Sequence, residues 1–204
     1  MRSIANSKNP NWKENAENAK LQNMAELAYL FSAMSRVFSR DSNKKIKRKI
    51  AEVMDGFFNV ESEEEFRRKH EEFCNWFVEH VKMAKNSQNA SWGHAAKVID
   101  ISLKVLIYYC NLPDPSKASK IVPWLNAAID NSLINHIKEW AKKEGILTHQ
   151  IENIRSLKDI EKKETYDELQ DLIKKEIQKE CKGGIYPVQY DDIMWRKLNR
   201  DEDF

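Results

Sequence analysis

One stretch of the chain decides the fold: residues 91–109, which read SWGHAAKVIDISLKVLIYY. Drawn as a helix at 100° per residue, this stretch is apolar over most of its circumference. A narrow polar stripe is formed by Gly93, Lys97, Asp100 and Lys104. Because a helix that is apolar nearly all round is normally buried, we predict a central helix here with the other helices packed around it.

Apolar residues recur at steps of three and four along nearly the whole chain, and period-2 alternation is almost absent. We therefore predict an all-α, single-domain bundle of about six helices over residues 1–204, with flexible ends at 1–9 and 199–204. The expected helices open at Asn9-Pro10, run over 42–58, 62–85, 91–109 and 123–145, and end at Gly183-Gly184 after a break near Lys158. A loop over 112–115, a short extended piece at 186–188 and a last helical turn from Asp191 complete this prediction.

Composition excludes several classes of protein. The 204 residues contain only five Gly, and neither GxGxxG nor GxxxxGK[ST] occurs, which excludes a Gly-rich nucleotide-binding fold. Three widely spaced cysteines without a C-x-x-C pair give no disulfide framework and favour a reducing compartment. The most apolar stretch, 98–112, is too short to span a bilayer, and residues 1–20 are too polar for a secretory signal. We therefore expect a soluble, cytoplasmic protein that does not bind a membrane.

Charge is unevenly distributed although the formal net charge is only +2. Residues 1–60 hold 11 basic and 6 acidic side chains, a balance of +5, whereas residues 148–204 hold 11 basic and 14 acidic, a balance of −3. Five cations stand within two helical turns: Lys44, Lys45, Lys47, Arg48 and Lys49. This run predicts a binding module for nucleic acid or an acidic protein. The structural alternative is a solvated basic face that meets the acidic C-terminal region.

A second hypothesis is an enzyme that acts on a polar or phosphorylated substrate. If the helices at 91–109 and 123–145 pack together, polar groups from their apolar faces converge, and buried polar groups need partners. The candidate catalytic residues are His94, Lys97 and Asp130, and the candidate ligand-binding residues are Ser91, Asn126 and His136. The alternative is a set of core residues that satisfy one another's hydrogen bonds. A third hypothesis, a structural subunit of a complex, is favoured only by the six tryptophans.

Metal sites receive little support. His70 and Cys74 stand four residues apart on one helical face, as two zinc ligands can, but zinc needs further ligands from elsewhere. Neither H-E-x-x-H nor Glu-x-x-His occurs, and the Arg-x4–6-His motif of helical ribonuclease toxins is absent. We therefore interpret His70 and Cys74 as part of a packed core seam and predict no metal and no cofactor.

The segment ASWGHAAK, residues 90–97, resembles the A-S-[YFW]-G-H-A-Q-K segment of a family of small prokaryotic proteins. Two later stretches, 128–132 and 166–170, are similar to the Ile-Asp-Ser/Asn and Tyr-x-x-x-Gln segments of that family. Ala96 stands where the family usually has Gln, and Asp100 where it usually has Asn. The resemblance implies no established activity, but it directs attention to Ser91, His94, Lys97 and Asp130 together.

Overall fold

All regular structure in the described part of the chain, residues 12–200 of a computed structural model, is helical. The prediction of a single all-α domain is confirmed, although the described residues form nine helices rather than about six. These are α1 (Trp12–Phe31), α2 (Arg40–Phe58), α3 (Glu63–His80), α4 (Trp92–Leu103), α5 (Pro115–Ile121), α6 (Asn131–Lys143), α7 (His149–Glu152), α8 (Lys163–Glu180) and α9 (Pro187–Arg200).

Helix α4 runs through the middle of the bundle, as predicted from its composition. It packs against α1, α3 and α8, and it continues as a π-helical segment over Lys104–Tyr109. Its apolar residues other than Ile101 belong to the hydrophobic core, and even Asp100 and Lys104 of the polar stripe are buried. The polar groups of this helix therefore need partners inside the protein.

Gly93 allows α4 to approach the turn at 157–160 closely. Its backbone N–H donates a hydrogen bond to the carbonyl of Ile160 at 2.9 Å. A Cβ atom at this position would lie 2.4 Å from the carbonyl oxygen of Leu157 and 2.8 Å from Cβ of Ile160. Only glycine fits this contact, because both neighbours are rigidly placed parts of the chain.

Helix α3 ends at His80, whereas the sequence predicts an end near Lys85. The backbone is extended at Val81. The following segment then bonds to the connection between α1 and α2, where the backbone N–H of Ser39 donates to the carbonyl of Lys82 at 3.0 Å. The longer helix is a wrong prediction because these tertiary backbone bonds replace the helical ones.

The predicted helix over 123–145 is also shorter than expected. Pro123 lies in a 3₁₀ turn, and α6 begins only at Asn131. The carboxylate of Asp130 accepts a hydrogen bond from the backbone N–H of Leu133 at 2.9 Å and so caps α6. Because this cap satisfies a free donor of the first turn, it fixes the start of the helix.

The chain between the loop predicted at 112–115 and Pro123 contains a short helix, α5. Asp114 caps α5 by accepting hydrogen bonds from the backbone N–H groups of Ser116 and Lys117 at 2.9 and 3.0 Å. Pro115 is the first residue of α5, a position where its missing N–H costs nothing. The sequence therefore contains the signals for this short helix, which the prediction did not use.

The C-terminal third contains the predicted break, at a 3₁₀ turn over Leu157–Asp159, and α8 ends at Glu180 just before the two glycines. The extended piece predicted at 186–188 is wrong, because Pro187 begins α9. Of the ends predicted to be flexible, 1–9 and 201–204 lie outside the described residues, and 199–200 belong to α9.

No helix within residues 12–200 has the length and hydropathy needed to cross a membrane.

Candidate functional site

His94 and Ser91 together form the first turn of α4. The Ser91 hydroxyl oxygen accepts a hydrogen bond from the His94 backbone N–H at 3.4 Å, and the Ser91 backbone N–H donates to Nδ1 of His94 at 3.2 Å. The Ser91 hydroxyl also lies 2.8 Å from the carbonyl oxygen of Leu157, to which it donates. Burial, assisted by the charge of Lys97, lowers the pKa of His94 to about 4. His94 is therefore neutral at pH 7, with one ring nitrogen engaged in capping the helix.

Lys97 lies one turn further along α4 and interacts with the charges of Asp130 and Asp191. Burial lowers the pKa of its ammonium group, and the two carboxylates oppose that shift. Ser91, His94 and Lys97 thus follow one another along the start of α4, and Asp130, which caps α6, interacts with Lys97 through its charge. Their catalytic role stays a prediction, and three of them, Ser91, His94 and Asp130, already serve in helix caps.

Asn126 and His136 do not join this group. Nε2 of His136 lies 2.8 Å from Oε1 of Glu176, which links α6 to α8. The amide of Asn126 donates instead to Oδ1 of Asp100 at 3.3 Å. The expected convergence of all these polar groups does not occur, because Asn126 precedes α6 and does not share a helical face with His136.

A buried polar network centres on Asp100, whose exposed fraction is 3 %. Oδ1 of Asp100 is 2.9 Å from Nε2 of His70, and Oδ2 accepts a hydrogen bond from the hydroxyl of Tyr166 at 2.7 Å. Asn126 also donates to Asp100, and its own side-chain oxygen accepts from the guanidinium of Arg67. We call these five residues the Asp100 network. It joins α3, α4, α8 and the segment before α6.

His70 lies between Asp100 and Cys74, with its Nδ1 3.8 Å from Sγ of Cys74 and its ring stacked on Tyr166. The order Cys, His, Asp is that of a nucleophile, a base and an orienting acid. Cys74 is fully buried, however, and burial and the charge of Asp100 raise the pKa of its thiol well above the usual range. A reactive cysteine needs access and a lowered pKa, so Cys74 is a packed core residue.

A cleft of about 260 Å³ lies over the Asp100 network. Its walls are almost entirely polar or aromatic: Arg67, His70, Trp92, Asn126, Lys163, Tyr166, Asp167, Gln170, Asp171 and Lys174. The indole N–H of Trp92 is buried and has no hydrogen-bond partner in the part of the chain that the structure describes. Within residues 12–200, no group of three or more His, Cys, Asp or Glu side chains is arranged to hold a metal ion.

A second buried cluster, which we call the Lys104 cluster, ties α9 to the end of α4. Nζ of Lys104 lies 2.6 Å from Oδ2 of Asp191 and also pairs with Asp192, to which Tyr109 donates a hydrogen bond. Burial favours a lower pKa for Lys104, but the two carboxylates outweigh it and raise that pKa. Burial raises the pKa of Asp191 to about 6, although Lys104 opposes the shift.

Two of the five predicted nucleic-acid-binding residues on α2 form ion pairs. Nζ of Lys47 lies 2.8 Å from Oε2 of Glu26 in α1. Nζ of Lys49 lies 2.7 Å from Oε1 of Glu52 in the same helix and 5.5 Å from the ring centre of Trp76. Both lysines are half-buried, so their charges are partly neutralised within the fold.

The other three predicted cations, Lys44, Lys45 and Arg48, are exposed and have no ion pair with a described residue. We call these three residues the α2 basic face. Lys44 and Arg48 also line a groove of about 720 Å³ between α1 and α2. Arg36 and Arg40, at the N-terminal end of α2, are exposed as well.

Sequence reasoning missed the Asp100 network, although it singled out three of its members for other reasons, Asn126 among them as a candidate ligand-binding residue. Asp100 was assigned to a polar stripe, and His70 to a core seam with Cys74. The signal that identifies Asp100 is the polar stripe itself, because a helix buried all round must pair every polar side chain it carries. Tyr166 stands out only as the first residue of the segment 166–170 in the family resemblance, and no local pattern points to Arg67. The two residues reach Asp100 and Asn126 from distant parts of the chain.

Comparison of the chain with protein-family models, with curated proteins and with solved structures finds no match. The resemblance of residues 90–170 to a family of small prokaryotic proteins therefore stays a prediction.

Proposed function

We propose that the protein binds nucleic acid through the α2 basic face. The observation that carries this proposal is the exposure of three unpaired cations within two turns of one helix: Lys44, Lys45 and Arg48. A cation that has no internal partner is free to neutralise a phosphate and release its counterion. Arg36 and Arg40 extend the same positive charge toward the start of α2.

The main alternative is that the basic run of α2 serves to hold the acidic C-terminal region. The ion pairs that α2 forms favour the binding function instead. Lys47 pairs with Glu26 of α1, and Lys49 pairs with Glu52 of α2 itself. The packing partners of α2 are α1 and α3, so its exposed charges remain available to a partner molecule.

The expected mode of binding is electrostatic and tolerant of sequence. Lysine and arginine contacts to phosphate fix the position of a nucleic acid but do not read its bases. The groove beside Lys44 and Arg48 is also lined by Glu26 and Glu52, which pair with Lys47 and Lys49, so it offers phosphate no unpaired cation beyond Lys44 and Arg48 themselves. We therefore expect a strand to follow the exposed ridge of α2 rather than to enter the groove.

Fluorescence anisotropy with a labelled single-stranded RNA and a labelled single-stranded DNA, measured over a series of salt concentrations, tests this function. In the variant Lys44→Ala/Lys45→Ala/Arg48→Ala, three phosphate contacts are lost. The slope of log affinity against log salt concentration should then fall in magnitude by about 2, at about 0.7 per contact for a single strand.

The matched control removes three exposed lysines elsewhere and changes the net charge equally: Lys142→Ala/Lys143→Ala/Lys158→Ala. This control should leave the salt slope unchanged. Equal losses in the two triple variants would show that only net charge matters and would overturn the proposed face. Absence of binding by the unaltered protein at low salt would overturn the function itself.

A further inference from the structure

We propose that the cleft above the Asp100 network binds a small phosphate monoester. This inference is independent of nucleic-acid binding, because it concerns different residues on α3 and α8. The network beneath the cleft holds its polar side chains in fixed positions through the bonds of Asp100 to His70, Tyr166 and Asn126. A floor fixed in this way is what a ligand site requires.

The charge of the cleft favours an anion. Arg67, Lys163 and Lys174 contribute three positive charges to its walls, and Asp167 and Asp171 contribute two negative charges. Asp100 adds little repulsion, because three donors surround its carboxyl group beneath the surface. Lys163 pairs with Asp167 and Lys174 with Asp171, so the excess of one positive charge in the walls is that of Arg67, whose own partner, Glu63, lies outside the lining.

Arg67 is the residue best placed to recognise phosphate. Glu63 accepts hydrogen bonds from two of its N–H groups, and Asn126 accepts one. A guanidinium has five N–H donors, so two of them remain without a partner. The two protein contacts hold the planar group in place, and a fixed guanidinium suits the bidentate geometry of phosphate.

Trp92 supplies a second donor and an aromatic wall. Its side chain lines the cleft, the residue is 6 % exposed, and its buried indole N–H has no hydrogen-bond partner among the described residues. A buried donor without a partner costs about 1–3 kcal/mol, so a ligand acceptor at this position would relieve that cost. Tyr166 and His70 add a stacked aromatic pair to the same cleft.

The size of the cleft limits the ligand. Its volume of about 260 Å³ corresponds to about nine water molecules at about 30 Å³ each. A phosphate group attached to one small ring fits this volume. A dinucleotide or a longer chain does not.

The test titrates uniformly ¹⁵N-labelled protein with phenyl phosphate and follows the six indole N–H signals by NMR. The Trp92 signal, identified by its loss in Trp92→Phe, should shift more than the other five. Arg67→Gln should weaken the affinity at least about tenfold, the usual effect of losing a charged hydrogen bond. Inorganic phosphate should shift the same signal, and phenol should not.

Arg68→Gln is the matched control, because Arg68 follows Arg67 on α3 but is exposed and pairs with Glu72 outside the cleft. It should change the affinity by less than about twofold. Lys174→Gln changes the wall of the cleft but not the Asp100 network, because Lys174 is exposed. This variant should weaken the affinity for phenyl phosphate about threefold or more. Melting curves of the variants separate lost binding from lost folding.

Three results would overturn the proposal. The first is a Trp92 signal that does not move in about 10 mM phenyl phosphate, ten times a millimolar dissociation constant. The second is an equal loss of affinity in Arg67→Gln and Arg68→Gln. The third is a response to phenol as large as the response to phenyl phosphate, which would indicate an apolar pocket. None of these results bears on the α2 basic face.

Discussion

Asp100 shows how much of this interior depends on single side chains. Its buried carboxyl group receives hydrogen bonds from His70 on α3, from Tyr166 on α8 and from Asn126 before α6. A buried polar group without partners is costly, so arrangements of these segments that withdraw the three donors are disfavoured. Asp100 therefore specifies how the surrounding helices meet, in addition to forming the floor of the cleft.

Gly93 provides a prediction at the same scale. We expect Gly93→Ala to lower the free energy of unfolding by about 2–4 kcal/mol, the cost of overpacking together with a weakened hydrogen bond to Ile160. The reason is a clash, because the added Cβ would lie only 2.4 Å from the carbonyl oxygen of Leu157. Urea denaturation measures the change.

Gly56 of α2 is the matched control. A Cβ there meets only the flexible end of Lys69, with Nζ at 3.3 Å, so the side chain can move aside. Gly56→Ala should raise the free energy of unfolding by about 0.5–1 kcal/mol, because alanine is the better helix former. If both variants destabilise the protein equally, the close approach at Gly93 is not the cause.

At the scale of elements, α4 shows what a sequence can and cannot predict. Its apolar composition is enough to place it at the centre, because burial follows from hydrophobicity alone. The end of α3 at His80 and the extended chain before Asn131 are not predictable in the same way, since tertiary bonds and a cap decide them. In the Asp100 network, Asn126 could be singled out from the sequence, but the hydrogen bond that it donates to Asp100 could not be predicted.

The two ends of α4 respond to acid in opposite directions. The pKa of His94 falls from 6.5 to about 4 on folding. The unfolded chain therefore binds a proton first as the pH falls, and stability decreases from about pH 6.5 to about pH 4. The pKa of Asp191, the partner of Lys104, rises from 3.8 to about 6. Here the folded protein binds the proton first, so stability increases from about pH 6 to about pH 4.

Two variants separate these opposing effects. On acidification from pH 7 to about 4.5, His94→Gln should gain free energy of unfolding relative to the unaltered protein, because it lacks the unfavourable protonation. Asp191→Asn should lose free energy of unfolding relative to it. Each relative change should reach about 1–3 kcal/mol, as pKa shifts of this size imply. Urea denaturation at both pH values measures them, and two variants that follow the unaltered protein in parallel would contradict the prediction.

At the scale of the whole molecule, buried polar and charged side chains find their partners in distant parts of the chain. The network around Asp100 joins α3, α4 and α8, and the Lys104 cluster joins the end of α4 to α9. The α2 basic face, by contrast, has its ion-paired neighbours in α1 and α2. Internal charge pairing therefore stabilises the C-terminal half around α4 and leaves positive charge exposed on the N-terminal half.

A chain that ends after Tyr186 tests this dependence on α9. Its Lys104 would lose both carboxylate partners, and an unpaired buried charge costs about 3–5 kcal/mol. Since typical domains have only about 5–15 kcal/mol of stability, we expect a much lower melting temperature by circular dichroism. Lys104→Met in the same shortened chain should recover part of the loss. No recovery would show that lost packing, rather than the buried charge, is responsible.

The separation of Lys104 from Asp191 also sets an order of events during protein synthesis. The two residues are 87 positions apart in the chain. At about 5–20 residues per second, a ribosome delivers Asp191 about 4–17 s after Lys104. Lys104 is thus present in the nascent chain for seconds before the two carboxylates that neutralise its charge have been translated. The Lys104 cluster is therefore expected to close only after α9 has left the exit tunnel.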